Sequence, residues 1–515
     1  MTQWPNPSTF QDAVFEFLSD PATHGGRQVR RIDTHAAAVF LVGDRALKIK
    51  RAVRFPFLDY STLAKRKAAC LAELEVNRAF APDLYRRIVA ITRGPSGQFA
   101  LDAEGNAVEW AVEMRRFDEN QTLDKVAESG AIDNILADKL AAAVAAMHTH
   151  APIADVNAWL AAIAGFLDQN TEAFQAMPEL FPPEAVAKLD QLSRSALEQL
   201  RSLLVARGRL GLIRRGHGDL HLGNIVLLNG RPVPFDAIEF DPMIAAGDVL
   251  YDLAFLLMDL VERRLDGAAN IALNGYLAKT RRSEHIDGLA ALPFFMSLRA
   301  AIRAKVSAAR LQYVDAASRP AITEAAKTYF SLAIRLLSPP PPTLVAVGGL
   351  SGTGKSSVAR ALAPFVAPVP GALVLRSDVE RKNLFGVDET ELLPPTAYQP
   401  EVTTRVYGLL GDKATRIIVA GHSVIVDAMF AKPDERAAIA AIAVSACVAF
   451  QGLFLVADLN TRLQRIGMRN LDASDADAAV ARQQETFALG PIEWKKVDAS
   501  GSLPATLRRV RAAIG

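Results

Sequence analysis

Two stretches of this 515-residue chain hold residues whose types and spacing suit the handling of phosphate. In GGLSGTGKSS, Gly349, Gly354, Lys355 and Ser356 satisfy the pattern G-x-x-x-x-G-K-[ST]. Glycine there lets the backbone N–H groups of Ser351, Gly352, Thr353 and Gly354 close around phosphate oxygens. Lys355 reaches the outer phosphates, Ser356 holds Mg²⁺ with Ser357 beside it, and the helix that follows favours negative charge at its start. In HGDLHLGNI, His217, Asp219 and Asn224 are spaced H-x-D-x-x-x-x-N, and Asp236 follows after a short excursion through Asn229-Gly230. At that spacing Asp219 accepts or orients the proton of an attacking hydroxyl, while Asn224 and Asp236 hold metal ions that bridge nucleotide phosphates. A turn network is the plainer alternative, since Asp and Asn favour turns.

Each set needs elements to hold it in place. TLVAVGGLSGTGKSSVARALAPFV reads as an apolar strand, a glycine-rich turn and an amphipathic helix. ALVLRSDVERKNLFG predicts a short strand ending at Ser377-Asp378 and then a helix carrying Arg381 and Lys382. An α/β sheet binds ligands at the carboxyl ends of its strands, although Asp378 could instead cap the helix. SVIVDAMF predicts a strand buried on both faces of a parallel sheet and ending in Asp427. A carboxylate there orients Mg²⁺, or simply ends the strand. After GLFLVAD, the arginines Arg462, Arg465 and Arg469 recur at helical spacing. They form either a lid over transferring phosphates or a solvated basic face.

The His217 set needs a lysine on an early strand. AVFLVGDRALKIKRAV supplies two short strands around Gly43-Asp44, with Lys48 as the nucleotide-facing choice and Lys50 as the other candidate. The helical run LAKRKAACLAELEVNRAF offers Glu73 or Glu75 as its ion-pair partner, and spacing does not choose between them. EWAVEMRRF predicts the strand leading to a hinge between a small and a large lobe.

The whole-chain quantities narrow the function class. Lys plus Arg number 58 against 56 Asp plus Glu, so no global field draws the protein to nucleic acid or an anionic membrane, and a small-molecule partner is expected. Cys70 and Cys447 are the only cysteines, which supports neither a disulfide framework nor a cysteine metal site. The chain lacks a long apolar run and a basic-then-apolar leader, and so reads as soluble and cytoplasmic. Four prolines at 339–342 forbid helix and predict a boundary. Residues 1–338 precede this linker, with a small lobe over about 30–115 and a large lobe over about 116–335, and residues 343–515 follow it.

The second region resembles P-loop kinases of the gluconate kinase, shikimate kinase and zeta-toxin kind, on its nucleotide loop, post-strand Asp-x-x-Arg, Asp-ended strand, arginine helix and VDASGSL. That resemblance implies a parallel sheet flanked by helices, Asp378 as base or hydroxyl-orienting group, Arg381 as a substrate contact, and Val497–Leu503 near the adenine. With HGDLHLGNI and PFDAIEFDP in place, residues 30–335 resemble the aminoglycoside phosphotransferase and choline kinase family, a two-lobed α+β fold of protein-kinase type. The family's D-x-x-x-D-L-A run is matched by Asp248 to Ala254, which implies a stabilising role in the catalytic lobe, and His148 in AAMHTHAP suits a core or capping role. Two departures stand: DTHAAAVFL replaces a glycine-rich loop, and Asp236 precedes Ala237 rather than Phe-Gly.

The expectation is an α/β multidomain, bifunctional phosphotransferase using ATP and Mg²⁺ on a small hydroxylated acceptor. The alternatives are a nucleotide-controlled regulatory protein and a toxin-like or RNA-end kinase, the last disfavoured by the balanced charge.

Overall fold

The computed structural model describes residues 9–514 apart from 56–57, 313 and 469–472. The chain forms two compact units, residues 1–172 with 202–259 and residues 173–201 with 260–515.

The first unit contains an antiparallel sheet of six strands. They are β1 (Val29–Asp33), β2 (Ala37–Val42), β3 (Arg45–Lys50), β4 (Tyr85–Arg93), β5 (Phe99–Leu101) and β6 (Asn106–Arg115), in the spatial order β1-β2-β3-β6-β4-β5. The two strands expected around Gly43-Asp44 are β2 and β3, paired from Ala37 opposite Lys50 to Val42 opposite Arg45. Helix α1 (Leu63–Phe80) follows β3, with the Thr62 side chain accepting the Lys65 N–H at its start. Helices α2 (Asn134–His150) and α3 (Val249–Glu262) supply His148 and Asp252, which meet beside the HGDLHLGNI segment. A hairpin of β7 (Ile225–Leu228) and β8 (Arg231–Pro234) then carries the chain to Asp236. Its turn places Asn229 at φ 51° and Gly230 at φ 72°, the left-handed pair that a two-residue hairpin requires and that Asn-Gly adopts most readily.

The second unit contains a wholly parallel five-stranded sheet. Its strands are β9 (Thr343–Gly348), β10 (Leu373–Arg376), β11 (Val424–Asp427), β12 (Ala449–Val456) and β13 (Lys495–Asp498), in the order β10-β11-β9-β12-β13. All four residues of β11 and five of six in β9 are buried, as expected for strands covered on both faces. Val345, Val347, Ile425, Leu453 and Leu455 pack with Val358 and Leu362 of α5 (Lys355–Leu362) and with Val510. Around the sheet lie α6 (Ser377–Phe385), α7 (Pro400–Val419), α8 (Leu459–Gly467) and α9 (Ala478–Gln483).

The compact units do not part at the prolines, because residues 260–338 pack with the parallel sheet. Helix α4 (Asp266–Thr280) shows why: its Asn270 and Asn274 amides donate to the Ala372 carbonyl at 3.0 and 3.2 Å, and Asn274 Oδ1 accepts the Val374 N–H at 2.9 Å. These amides supply the bonds that a further strand would give to the open edge of β10.

Candidate active site

Sequence alternation leaves the side chains of Lys48 and Lys50 on one face of β3, and both reach Glu73. Lys48 Nζ lies 2.8 Å and Lys50 Nζ 2.5 Å from its carboxylate oxygens. Glu73 is fully buried while Glu75 is exposed, which decides the partner that spacing left open. Burial would raise the Glu73 carboxyl, but the two ammonium charges outweigh it and hold its pKa at about 2. Lys48 also lies 2.5 Å from Asp236, whereas Lys50 is paired with Glu239. Burial opposes the Lys48 charge, yet Asp236 and Glu73 keep its pKa well above the ordinary value. The lysine that touches Asp236 is therefore Lys48, and Lys50 ties β3 to the segment after it.

Asp236 stands at φ 61°, a conformation that costs a non-glycine residue of the order of 1 kcal/mol and persists only when its surroundings impose it. They do so from four directions. The Tyr85 hydroxyl faces the Asp236 N–H at 3.1 Å, Asn77 Oδ1 accepts the Ala237 N–H at 2.8 Å, His217 Nε2 donates to the Phe235 carbonyl at 2.9 Å, and the His217 carbonyl accepts the Ile238 N–H at 3.0 Å. Burial lowers the His217 pKa against the opposing pull of Asp252 and Asp219.

The Asp219 loop is held by Asp252, whose carboxylate accepts the N–H groups of His217 at 2.8 Å and Gly218 at 3.0 Å. His148, expected in a core or capping role, is buried with Nε2 3.2 Å from that same carboxylate. Asp248, fully buried, takes two bonds from Arg207 at 2.6 and 2.7 Å. Asn224 Nδ2 donates to the Asp219 carbonyl at 3.0 Å and carboxylate at 2.9 Å. The structure thus brings Asp219 and Asn224 together, and Lys48, Glu73 and Asp236 together.

In the second unit the phosphate loop opens onto a cavity of about 690 Å³, lined by the 351–358 loop, Ser377, Asp378, Arg381, Asp427 and Arg465 among others. Gly349 (φ 140°) and Gly352 (φ 86°) admit no side chain, since a Cβ would lie 2.6 Å from the Leu455 carbonyl oxygen and 2.7 Å from that of Arg462. Lys355 Nζ donates to the Leu350 carbonyl at 3.3 Å. The Ser356 hydroxyl lies 2.5 Å from Asp427, and Arg376 Nε approaches the same carboxylate at 3.5 Å. Asp378 does not cap α6, whose cap position is Arg376; it sits in the first turn and lines the cavity. Burial, and then the Asp427 charge, raise its pKa above the usual carboxylate value.

The arginines divide. Arg462 is buried, bonded to the Ser351 carbonyl at 2.8 Å and the Ala481 carbonyl at 3.1 Å and paired with Glu485, and it does not line the cavity. Arg465 lines the cavity and joins the Thr353 carbonyl to those of Ala499 and Gly501 at 2.7–3.2 Å. Arg469 lies outside the described residues. Several supporting residues escaped the sequence reading. Asn77 carried a signal in its helical spacing from Glu73, whereas nothing local marks Tyr85, Glu239, Gln484, whose Oε1 accepts the Ser351 N–H at 2.8 Å, or Asp475, which pairs with Lys382 at 2.6 Å.

Among the described residues no group of three His, Cys, Asp or Glu side chains stands ready to hold a metal. The donors present, a hydroxyl beside one carboxylate at Ser356 and Asp427, fit Mg²⁺, which takes one or two carboxylates and completes its shell with phosphate and water oxygens. Among the described residues no helix is long and apolar enough to cross a membrane.

Comparison with known proteins agrees with both halves of this arrangement. A family described as AAA domain matches residues 344–489. The uncharacterised protein Rv2004c of Mycobacterium tuberculosis is 29% identical over 480 residues, covering 91% of this chain and 92% of that protein. Among solved structures, a choline/ethanolamine kinase family protein from Mesorhizobium loti is 14% identical, covers 64% of this chain and 99% of its own, and superposes with a TM-score of 0.37. A gluconokinase from Sinorhizobium meliloti is 20% identical over 34% of this chain and 94% of its own, with a TM-score of 0.24. The phosphotransferase enzyme family matches residues 29–292, more than half of the 515, and the chain accordingly belongs to the phosphotransferase enzyme family.

Proposed function

We propose that the protein is an ATP- and Mg²⁺-dependent phosphotransferase with two nucleotide sites, transferring the γ-phosphoryl group to a hydroxyl of a small acceptor. The observation that carries this reading is the cavity at the phosphate loop. It gathers Lys355, the Ser356–Asp427 pair at 2.5 Å and the half-buried Asp378 around about 690 Å³, a volume suited to small molecules.

In this reading backbone N–H groups of Ser351 to Gly354 hold the phosphates and Lys355 neutralises the outer ones. Bound Mg²⁺, held by Ser356 and Asp427, would supply charge neutralisation across the phosphates. Asp378 takes the proton of the acceptor hydroxyl as its oxygen bonds to phosphorus and the bond to the ADP oxygen breaks. The raised pKa of Asp378 makes it a stronger base than an ordinary carboxylate. In the first unit Asp219 takes the same part, with Lys48 on the phosphates, and Asn224 and Asp236 would hold Mg²⁺, which would supply charge neutralisation there. Arg465 remains the lid candidate, joined to the adenine-side loop by its bonds to Ala499 and Gly501.

The test is transfer from γ-labelled ATP to a metabolite extract by the intact chain and by the Lys355→Ala and Asp219→Asn variants. Labelled product that depends on either residue is the expected result. ATP binding without transfer to any product in every variant would leave a nucleotide-controlled regulatory protein as the reading.

A further inference from the structure

The Lys48 ammonium lies between two carboxylates in different surroundings: Glu73 at 2.8 Å, fully buried, and Asp236 at 2.5 Å, whose side chain is 44% exposed. We propose that Lys50 is a positioning residue for phosphoryl transfer in the first unit: it carries part of the Glu73 charge, and so leaves Lys48 disposed toward Asp236 and the nucleotide phosphates. The proposal rests on the reading of Lys48 and Asp236 as nucleotide-site residues given above.

Lys50 does not face the nucleotide itself. Side-chain exposure falls from Asp236 to 14% at Lys48 and 4% at Lys50, so a phosphate that reaches Asp236 meets Lys48 first. The Lys50 ammonium is closed in, 2.5 Å from Glu73 Oε2, paired with Glu239 and 5.4 Å from the centre of the Tyr60 ring. Glu239 in turn accepts the Tyr60 hydroxyl at 2.8 Å. Burial opposes the Lys50 charge, but Glu73 and Glu239 raise its pKa above the ordinary value. Lys50 is therefore a fixed charge that acts on the site through these carboxylates.

The charges of this cluster balance in one way. Lys48 and Lys50 offset Glu73 and Glu239, the two buried carboxylates, and Asp236 is left over as the exposed one. Each oxygen of Glu73 has its own ammonium, Oε1 facing Lys48 and Oε2 facing Lys50. The alternation of β3 makes this possible by pointing residues 48 and 50 the same way. A buried carboxylate without a cation is strongly disfavoured. Without Lys50, Lys48 alone would have to meet Glu73, and an incoming phosphate would compete with the whole of that charge. Through Glu239, in the segment just after Asp236, Lys50 also anchors the backbone that bears the exposed carboxylate.

The test uses the full chain carrying Lys355→Ala, so that the non-hydrolysable analogue AMPPNP, added with Mg²⁺, reports on the first unit. Lys50→Met/Glu239→Gln removes one charge of each sign and keeps an acceptor for the Tyr60 hydroxyl, which favours folding. It should weaken AMPPNP binding about tenfold. Glu239→Gln alone keeps Lys50 beside Glu73 and should bind AMPPNP more tightly than the paired variant. Adenosine, measured by competition with a fluorescent ATP analogue, should bind the paired variant as it binds the parent chain, because it brings no phosphate to Lys48. Unchanged AMPPNP affinity in the paired variant, the same loss from Glu239→Gln alone, a parallel loss of adenosine affinity, or an unfolded first unit would each overturn the proposal. The last two would show that Lys50 serves only to hold the fold. If the parent chain binds no AMPPNP, the nucleotide reading of the first unit falls and the proposal with it.

Discussion

Asp219 and Asp236 are both carboxylates near one loop, but their surroundings divide their work. Asp219 is bonded to the Asn224 amide, whereas Asp236 is held at φ 61° against Lys48. In a Lys355→Ala background, chosen to silence the proposed site at the phosphate loop, Asp219→Asn should reduce the turnover proposed for the first unit about 10²–10⁴-fold with little change in nucleotide affinity. Asp236→Asn should weaken Mg²⁺-dependent nucleotide binding as well, and equilibrium titration with and without Mg²⁺ separates the two outcomes. His422 offers a pH-dependent test. It is fully buried, its Nε2 donates to the Leu289 carbonyl at 3.1 Å, and burial lowers its pKa from 6.5 to about 4. Between those values the unfolded chain binds the proton and the folded one does not, so stability is intact above pH 6.5 and declines as pH falls toward 4. The loss attributable to His422 is about 3 kcal/mol. Urea unfolding across that window should show a flatter pH dependence for His422→Gln, and an unchanged slope would reject the assignment.

At the scale of elements, the strand that ends beside Asp378 is an edge strand completed by side chains. Asn270 and Asn274 occupy the bonding positions of Ala372, just before β10, and of Val374 within it. Replacing both with Ala leaves the Ala372 carbonyl and the Val374 N–H without these partners, at about 1–3 kcal/mol for each buried group. The unfolding midpoint should fall without a change in m-value, and amide exchange at Val374 should accelerate. If Val374 exchanges at the wild-type rate, the asparagines do not complete the strand. The phosphate loop is similarly strict. Gly352→Ala drives a methyl against the Arg462 carbonyl and should abolish nucleotide binding at this site, as read by AMPPNP titration.

For the whole molecule, the compact units and the proline run give different divisions of the chain. We expect both to be visible. Proteolysis tests the spacer, since residues 338–342 join two regular elements through four prolines with no strand or helix of their own. Stability tests the packing. A fragment of residues 260–515 should unfold at a higher temperature than one of residues 343–515, because the shorter piece loses Asn270, Asn274 and the Arg416–Asp287 pair at 2.8 Å. Equal midpoints would show that the helices before the prolines add nothing to the P-loop region.

The sequence by itself determined the two phosphate-handling motifs, the strands around Gly43-Asp44, the Asn-Gly hairpin and the parallel strands ending near Asp378 and at Asp427. Each is a local pattern: side-chain alternation, left-handed turn residues and continuous apolar runs act over a few residues, so they are legible without tertiary information. Only the tertiary structure decided matters that join distant residues. It chose Glu73 over Glu75 through burial, and turned Lys50 to Glu239 across 189 positions. It bound Arg462 to the Ser351 carbonyl across 111 positions, where a free lid residue had been one expectation. It also set helices before the prolines against the sheet after them. Long-range pairing depends on which surfaces meet in the folded chain, and residue type and spacing carry no record of that meeting until the fold is formed.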